Sequence, residues 1–347
     1  MNSEGIYPGR GQGRIRGGSS DQIRLTLALF LSILKFDTFD GLKPRFSNRD
    51  KTHSLRKGEK TMDKKMIDLY DEYTHGLFDR REFLVRLSVL TGSIAGANAL
   101  LSLLENSHAR AEVVPKGDPR LTANRMKYPG ATGEVVAYLA RPKEDKKIPG
   151  VVVIHENRGL VPHIEDVTRR IALEGFLALA PDALTPLGST PEDPEKAPSL
   201  IQTLDSQSTL QNYLAAVRYL KTHPVSTGKI GAVGFCWGGA MANQVAVHSA
   251  DVSAVVSYYG RQPASEDVSK IKASLLLHYA GLDEGINKGI PAYEEALKKA
   301  SVNYKIYRYE GAQHAFNNDT NPARYNKEAA QLAWQRTISF LKEKLKK

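Results

Sequence analysis

A single cysteine lies at the centre of a glycine-rich pattern that is typical of nucleophilic turns between a strand and a helix. The pattern is G-F-C-W-G, from Gly234 to Gly238, with Cys236 where such turns more often carry serine. The backbone of such a nucleophile is strained, and side chains two residues away would collide with their neighbours, so both flanking positions favour glycine. The N–H groups that begin the following helix would lower the thiol pKa and stabilise an oxyanion. From these residues alone, a glycine-rich connection with an inert buried cysteine remains the alternative.

Two further residues could complete the chemistry of a cysteine nucleophile, which needs a base and an acid that orients the base. Asp283 follows the apolar run 274–279, and His314 follows the run 304–309. The carboxyl ends of parallel strands meet at one edge of a sheet, where loops carry functional side chains. The chain order nucleophile, acid, histidine is that of α/β-hydrolases. The sequence therefore predicts a catalytic triad of Cys236, Asp283 and His314.

The segments that must position these residues alternate between strands and helices. The predicted strands cover residues 134–139, 150–154, 176–180, 230–233, 252–258, 274–279 and 304–309. The predicted helices cover residues 162–174, 204–222, 291–300 and 322–345, with another from 240, and a long loop is predicted at 181–198. This alternation predicts an α/β fold with a doubly wound, mostly parallel sheet and helices on both faces.

Four motifs make the region from about 120 to 347 resemble the dienelactone hydrolases, or carboxymethylenebutenolidases. They are V-V-V-I-H-E-N-R-G-L at 151–160, G-F-C-W-G-G at 234–239, Y-A-G-L-D at 279–283 and G-A-Q-H-A-F at 311–316. The resemblance implies the α/β-hydrolase fold and a carboxylic ester hydrolase that acts through an acyl-enzyme. Because the sequence contains no phosphate-binding loop and no metal-ligand cluster, we expect neither a cofactor nor a metal.

The resemblance also implies an accessory residue. Glu156 matches a family glutamate that lies against the resting cysteine, holding the thiol or taking its proton until substrate binds. From the residues alone, a loop carboxylate paired with Arg158 is an equal reading. The oxyanion hole needs backbone donors. One should be the N–H of Trp237, which follows the nucleophile, and by the family's pattern the other is the N–H of Asn157.

Two departures from the family concern the arginines that hold a substrate carboxylate in relatives acting on dienelactone. One of those arginines follows the catalytic histidine by four residues, and Asn318 stands there in this chain. Another lies in the loop after the strand 176–180, where this chain has no arginine up to Thr185. Arg158, Arg169 and Arg261 are possible substitutes. The reaction class therefore transfers better than the named substrate.

Composition and charge indicate an ordinary globular protein with an unusual beginning. The chain has 347 residues, of which 41% are hydrophobic and 25% charged, with a net charge of +10. Residues 1–61 carry 12 Lys and Arg against 6 Asp and Glu, which gives +6 of that total. The remainder has no basic stripe interleaved with aromatics, so a nucleic-acid partner is not expected. We expect residues 1–61 to be disordered or a non-native extension, because Met62 is a plausible alternative start.

Residues 62–111 have the order of an export signal. The run Arg80–Leu84 resembles the twin-arginine motif, an apolar stretch follows at 87–104, and Ala109–Ala111 is an A-x-A cleavage pattern. The mature chain would then begin near Glu112, as an α/β-hydrolase domain at 112–347 without a membrane span. An amphipathic helix that contains Arg-Arg by chance, or an uncleaved anchor, is the alternative.

Taken together, the sequence predicts a periplasmic or secreted hydrolase of small esters or lactones that meets the twin-arginine export machinery only transiently. A thioesterase or peptidase that uses the same triad is a second hypothesis. A third is an exported binding protein that keeps the hydrolase scaffold without activity. The natural substrate and the oligomeric state stay open.

Overall fold

An eight-stranded sheet forms the centre of the computed structural model. The model describes residues 65–66, 69–70, 72–73, 78, 80–97, 101 and 112–346. In chain order the strands are β1 (Leu121–Gly130), β2 (Gly133–Pro142), β3 (Ile148–Ile154), β4 (Leu177–Pro181), β5 (Ser226–Phe235), β6 (Val252–Tyr258), β7 (Ser274–Ala280) and β8 (Tyr304–Tyr309). Their order across the sheet is β1-β2-β4-β3-β5-β6-β7-β8. The pairs β1–β2 and β2–β4 are antiparallel, and the other five are parallel.

Helices cover both faces of the sheet. The helices that the described residues form are α1 (Arg80–Thr91), α2 (Pro162–Leu173), α3 (Ala197–Thr203), α4 (Ser206–Thr222), α5 (Trp237–His248), α6 (Glu284–Asn287), α7 (Ile290–Lys299) and α8 (Lys327–Leu345). One apolar core lies between the sheet and α4, α5 and α7, and a second lies between the sheet and α2 and α8. Strand β3 is buried along its whole length because helices pack on both of its sides. The predicted doubly wound α/β class is confirmed.

Three details differ from the sequence-based expectation. Strand β1 was not predicted, because it is an edge strand with only two buried residues and therefore lacks a strong apolar pattern. The last helix begins at Lys327 rather than at 322, since the side chain of Asn326 accepts from the N–H of Ala329 at 3.1 Å and caps it there. The predicted loop 181–198 contains two short 3₁₀ turns and the start of α3.

The hydrolase domain is anchored from its first described residues. The carboxylate of Asp166 accepts from the N–H groups of Val113 and Val114 at 3.1 and 2.8 Å. The fully buried Arg169 donates to the carbonyl of Val114 at 2.7 Å and pairs with Glu112 at 3.3 Å. These contacts tie the chain to α2 immediately after the predicted cleavage site, which itself lies outside the described residues.

A separate apolar cluster is formed by the described residues between 65 and 101, here called the N-terminal segment. Its buried members are Met66, Leu69, Tyr70, Tyr73, Phe83, Leu87, Ala97 and Leu101. The predicted export signal falls partly on this segment, and the predicted extension 1–61 falls wholly outside the described residues. Among the helices that can be described, none is both long and apolar enough to cross a membrane.

Candidate active site

The turn between β5 and α5 places Cys236 at its tip. The residue has φ 56° and ψ −117°, in the left-handed half of backbone space that side chains rarely adopt. Its N–H donates to the carbonyl of Tyr258 at 3.0 Å, which fixes the turn against β6. A Cβ at Gly234 would lie 1.9 Å from the carbonyl oxygen of Gly238, and one at Gly238 would lie 2.3 Å from that of His155. Both glycines are therefore required sterically, as the pattern predicted.

The predicted acid and base lie together at the same edge of the sheet. Asp283 follows β7 and caps α6, accepting from the N–H of Ile286 through Oδ1 at 3.2 Å. Its other oxygen, Oδ2, is 2.5 Å from Nδ1 of His314, which follows β8. The hydrogen bond leaves Nε2 of the imidazole as the atom that can exchange protons with the nucleophile.

The charge state of His314 is set by its neighbours. Burial alone would lower the pKa of this imidazole. The negative charges of Cys236 and Asp283, with a hydrogen bond to each, outweigh burial and raise the pKa well above its usual value. The raised pKa therefore favours the imidazolium form of His314 beside Cys236.

Glu156 lies in the pocket that contains Cys236 and His314. Its Oε1 accepts from the hydroxyl of Tyr259 at 3.3 Å, and its Oε2 accepts from the amide of Asn318 at 2.7 Å. Burial, followed by the charges of Glu156 and Cys236, raises the pKa of Tyr259, so its hydroxyl stays a donor. These two donors hold the carboxylate, whereas the alternative partner, Arg158, makes its ion pair with Glu195.

A buried histidine contacts both segments that carry the two predicted oxyanion donors. Asn157 lines the pocket, and Trp237 is the first residue of α5. The ring of His155 stacks on that of Trp237, with centroids 5.3 Å apart. Nε2 of His155 accepts from the N–H of Ala183 at 3.1 Å, so Nδ1 carries the proton and donates to the carbonyl of Glu156 at 2.6 Å. His155 thereby holds the loop of Asn157 against the nucleophile turn.

The three arginines proposed to hold a substrate carboxylate have different surroundings in the fold. Arg158 lines the pocket, Arg169 is used in the anchor at 112–114, and Arg261 is exposed. Thr185 has a structural role: its hydroxyl donates to the carbonyl of Asp182 at 2.7 Å and accepts from the N–H of Val136 at 3.1 Å.

Three residues of the pocket were not predicted from the sequence. They are Tyr70, Asn321 and Arg324, and they share the cavity with Cys236 and His314. Arg324 lies in the irregular stretch before α8, where no period or motif distinguishes it from a surface arginine. Tyr70 lies in the predicted export signal, a segment usually excluded from reasoning about an active site.

Comparisons with known proteins identify the family of this chain. A model described as the dienelactone hydrolase family matches residues 135–345, and a second, described as YqhI-like, matches residues 54–91. A "Putative carboxymethylenebutenolidase" of Saccharolobus solfataricus is 32% identical over 253 residues, which cover 62% of this chain and 96% of the relative. A protein of the same name from Synechocystis sp. is 34% identical over 236 residues, covering 63% and 95%.

Solved structures show the same relationship. A "Putative Dienelactone Hydrolase" from Klebsiella pneumoniae is 28% identical and superposes with a TM-score of 0.58 over 63% of this chain and 98% of that protein. A dienelactone hydrolase-like promiscuous phosphotriesterase from metagenomic libraries, 22% identical with a TM-score of 0.59 over 65% and 99%, shares the fold. The predicted α/β-hydrolase fold and the predicted enzyme class are confirmed, and the chain belongs to the dienelactone hydrolase family of hydrolases.

Proposed function

We propose that this protein hydrolyses small carboxylic esters or lactones with Cys236 as nucleophile, His314 as base and acid, and Asp283 as the orienting carboxylate. One observation carries the proposal. Nδ1 of His314 is 2.5 Å from Oδ2 of Asp283, and the charge of Cys236 helps to raise the pKa of this imidazole. Cys236 itself lies at the tip of a turn whose backbone is strained. A buried thiol with no catalytic role does not need an oriented, charge-stabilised base.

Acylation begins with attack of the Cys236 sulfur on the substrate carbonyl carbon. The new C–S bond displaces an electron pair onto the carbonyl oxygen, where the N–H groups of Trp237 and Asn157 would each contribute about 3 kcal/mol of stabilisation. The oxyanion then re-forms the carbonyl, and the bond to the alkoxy oxygen breaks. His314 gives its proton to that oxygen, which leaves as an alcohol or, from a lactone, as the hydroxyl end of the acyl chain.

Deacylation reverses these proton movements with water as the nucleophile. Neutral His314 takes a proton from the water as its oxygen attacks the thioester carbon. The C–S bond then breaks, the carboxylic acid leaves, and Cys236 returns as a thiolate beside the imidazolium. Glu156, held by Tyr259 and Asn318, would keep the sulfur of Cys236 positioned beside the base before substrate binds.

The test is hydrolysis of p-nitrophenyl acetate by the full chain and by single variants. Cys236→Ala and His314→Ala should each lower kcat by at least about a thousandfold, and Cys236→Ala should leave the thermal unfolding midpoint little changed. The matched control is His248→Ala, because His248 is exposed at the end of α5 and should be dispensable. Mass spectrometry of the quenched reaction should find the acyl group on Cys236. Wild-type turnover by Cys236→Ala would refute the nucleophile.

A substrate panel decides between this reaction and its alternative. The proposal requires the largest kcat/KM with oxygen esters or lactones. A kcat/KM larger by about tenfold for acyl thioesters or for peptides of similar acyl group would assign the triad to a thioesterase or peptidase instead.

We further propose that the protein is exported by the twin-arginine route and acts in the periplasm or outside the cell. The order of charged, apolar and small residues supports this, as does the anchor that begins at Glu112, just after the Ala109–Ala111 pattern. N-terminal sequencing of protein from the periplasm should find Glu112 or a close neighbour first. Replacing Arg80 and Arg81 by lysine should keep the chain in the cytoplasm. Unchanged export of that double variant would refute the route.

A further inference from the structure

A tyrosine from outside the family-matched region lies in the active site. Tyr70 belongs to the N-terminal segment, yet it lines one cavity together with Cys236, His314 and Glu156. The dienelactone hydrolase match begins only at residue 135, whereas Tyr70 falls in the separate match at 54–91. The hydrolase fold therefore does not require this residue, and its presence in the pocket needs an explanation of its own.

Two buried arginines of the hydrolase domain hold Tyr70 in place. Arg158 donates to its hydroxyl, and the guanidinium of Arg324 lies over its ring, 4.6 Å from the centroid. The two arginine side chains are in the walls of the pocket and are only 4% and 5% exposed. A cation over an aromatic face and a charge-assisted hydrogen bond both strengthen when water is excluded, as it is here.

A second contact ties the same segment to the rim of the pocket. Glu195 pairs with Arg158 and also with Arg80, the first residue of α1, at 3.4 Å. The N-terminal segment thus bonds to Arg158 directly through Tyr70 and indirectly through the ion pair at Glu195.

The segment also has a core of its own that carries Tyr70. The ring of Tyr70 packs edge-on against Phe83, with centroids 5.7 Å apart, and Phe83 stacks on Tyr73 at 4.7 Å. Phe83 and Leu87 of α1 are fully buried in this cluster. Tyr70 is therefore held by a packed unit, and loosening that unit should release the ring from the pocket.

Little space remains beside Cys236 in this cavity. The cavity that contains Cys236 has a volume of about 30 Å³. A cavity needs about 10–15 Å³ of such volume to hold a single water, whereas pockets that bind small molecules typically have ~300 Å³ or more. The ring of Tyr70 lines this narrow space together with Cys236.

We propose that the N-terminal segment is an intramolecular cover, with Tyr70 occupying the space that a substrate must enter, so that the full-length chain is a latent hydrolase. The inference rests on the proposed function. Removal of residues before Glu112, or opening of the segment, exposes Arg158, Arg324 and the thiol together. In an exported chain, cleavage of the signal would then also be activation.

The test uses the full chain and its single cysteine, because the alkylation rate of Cys236 reports access without any knowledge of the substrate. If the closed form dominates, the rate with iodoacetamide scales with the open fraction, and Tyr70→Ala should raise it by about tenfold or more. Tyr70→Phe keeps the ring but loses the hydroxyl, and should give a smaller rise. Val89→Ala is the matched control, since Val89 is 77% exposed on α1 and should leave the rate unchanged.

A second variant separates a cover from a fixed pocket wall. Phe83→Ala loosens the segment without altering any residue that lines the cavity. It should also raise the alkylation rate, whereas it would leave the rate unchanged if Tyr70 were a permanent wall. Circular dichroism and thermal unfolding must show that the hydrolase domain stays folded in both variants.

Hydrolysis of p-nitrophenyl acetate by the same proteins distinguishes the two proposals. Faster alkylation together with faster hydrolysis in Tyr70→Ala supports both the cover and the enzyme. Faster alkylation without hydrolysis in any variant supports the cover and refutes the proposed function. An alkylation rate within about twofold of wild type in either Tyr70→Ala or Phe83→Ala overturns the cover, even if Cys236 proves essential for hydrolysis.

Discussion

The amide of Asn318 donates to Oε2 of Glu156 at 2.7 Å, and this hydrogen bond gives the side chain at position 318 a role within the protein. The family resemblance implied an arginine at this position to hold a substrate carboxylate. In this chain the residue holds a carboxylate of the protein instead. Its own oxygen accepts from the N–H and the hydroxyl of Thr320 at 3.0 and 2.6 Å, so the amide orientation is fixed. The cationic groups of this pocket are instead Arg158 and Arg324.

Removing the amide of Asn318 should disturb catalysis through Glu156. We expect Asn318→Ala to lower kcat/KM for p-nitrophenyl acetate by about tenfold, because a buried carboxylate loses one of its two donors. Tyr259→Phe removes the other donor and should have an effect of similar size. In the double variant the loss should be less than the product of the single losses, since both residues act on the same group. Independent, multiplicative effects would contradict a shared role in positioning Glu156.

The orienting role of Asp283 gives a second prediction. Asp283→Asn should lower kcat by about a thousandfold, because an amide at this position favours the wrong tautomer of His314 and cannot stabilise the imidazolium. KM should change little, since the side chain contacts His314 and the start of α6. Asp267→Asn is a matched control on a surface turn, where the carboxylate pairs with Lys270. A kcat within tenfold of wild type for Asp283→Asn would exclude the carboxylate from the triad.

Much of this site was predictable, because its groups follow strands that the sequence marks clearly. Continuous apolar runs identify β3, β5, β6 and β7, and parallel strands bring the loops that follow them to one edge. The glycines around Cys236 are required by local steric contacts, and a short sequence motif is enough to predict them.

The other half of the pocket was not predictable for a physical reason. Arg324 and Tyr70 reach the site from irregular or distant segments, and their placement depends on tertiary contacts that leave no period in the sequence. The partners of Glu156 show the same limit. Its neighbour in the chain, Arg158, was the expected partner. In the fold, however, Arg158 pairs with Glu195, and Glu156 accepts from Asn318, which is 162 residues away in the sequence.

The charge state of His314 should be visible in the pH dependence of stability. Its pKa is raised in the folded protein by Cys236 and Asp283, which outweigh burial. A raised pKa stabilises the fold below the unfolded value of about 6.5, and that stabilisation is lost as the pH rises through the folded value. The loss of unfolding free energy in His314→Gln should therefore be larger at about pH 6 than at about pH 10. Urea denaturation at both pH values measures this difference. The control His248→Gln should show no such difference. An equal loss of unfolding free energy at both pH values for His314→Gln would contradict the ion pair.

His278, a second buried histidine, should affect the pH dependence of stability in the opposite sense to His314. Burial, with the charge of Arg336 adding to it, lowers the pKa of His278 to about 3. The native ring stays neutral while the unfolded chain takes up a proton below about pH 6.5, so stability falls with acid. At about pH 4 this residue alone should cost roughly 3 kcal/mol. His278→Phe should be less stable than wild type at neutral pH, because it loses hydrogen bonds to Tyr309 and Thr337. Its stability should fall less steeply with acid, and a fall as steep as that of wild type would contradict a neutral His278.

The nucleophile turn provides a steric prediction that does not depend on any substrate. Gly234→Ala would place a Cβ 1.9 Å from the carbonyl oxygen of Gly238, and the atoms in its way are backbone rather than a flexible side chain. We expect a loss of at least about 3 kcal/mol in unfolding free energy, together with loss of hydrolysis, because the turn must shift to admit the methyl group. Gly117→Ala is the matched control, since a Cβ there meets nothing within 4 Å. Chemical denaturation of both variants measures the difference. Wild-type stability in Gly234→Ala would show that the turn is less constrained than its geometry indicates, and the argument for a strained nucleophile at Cys236 would fail with it.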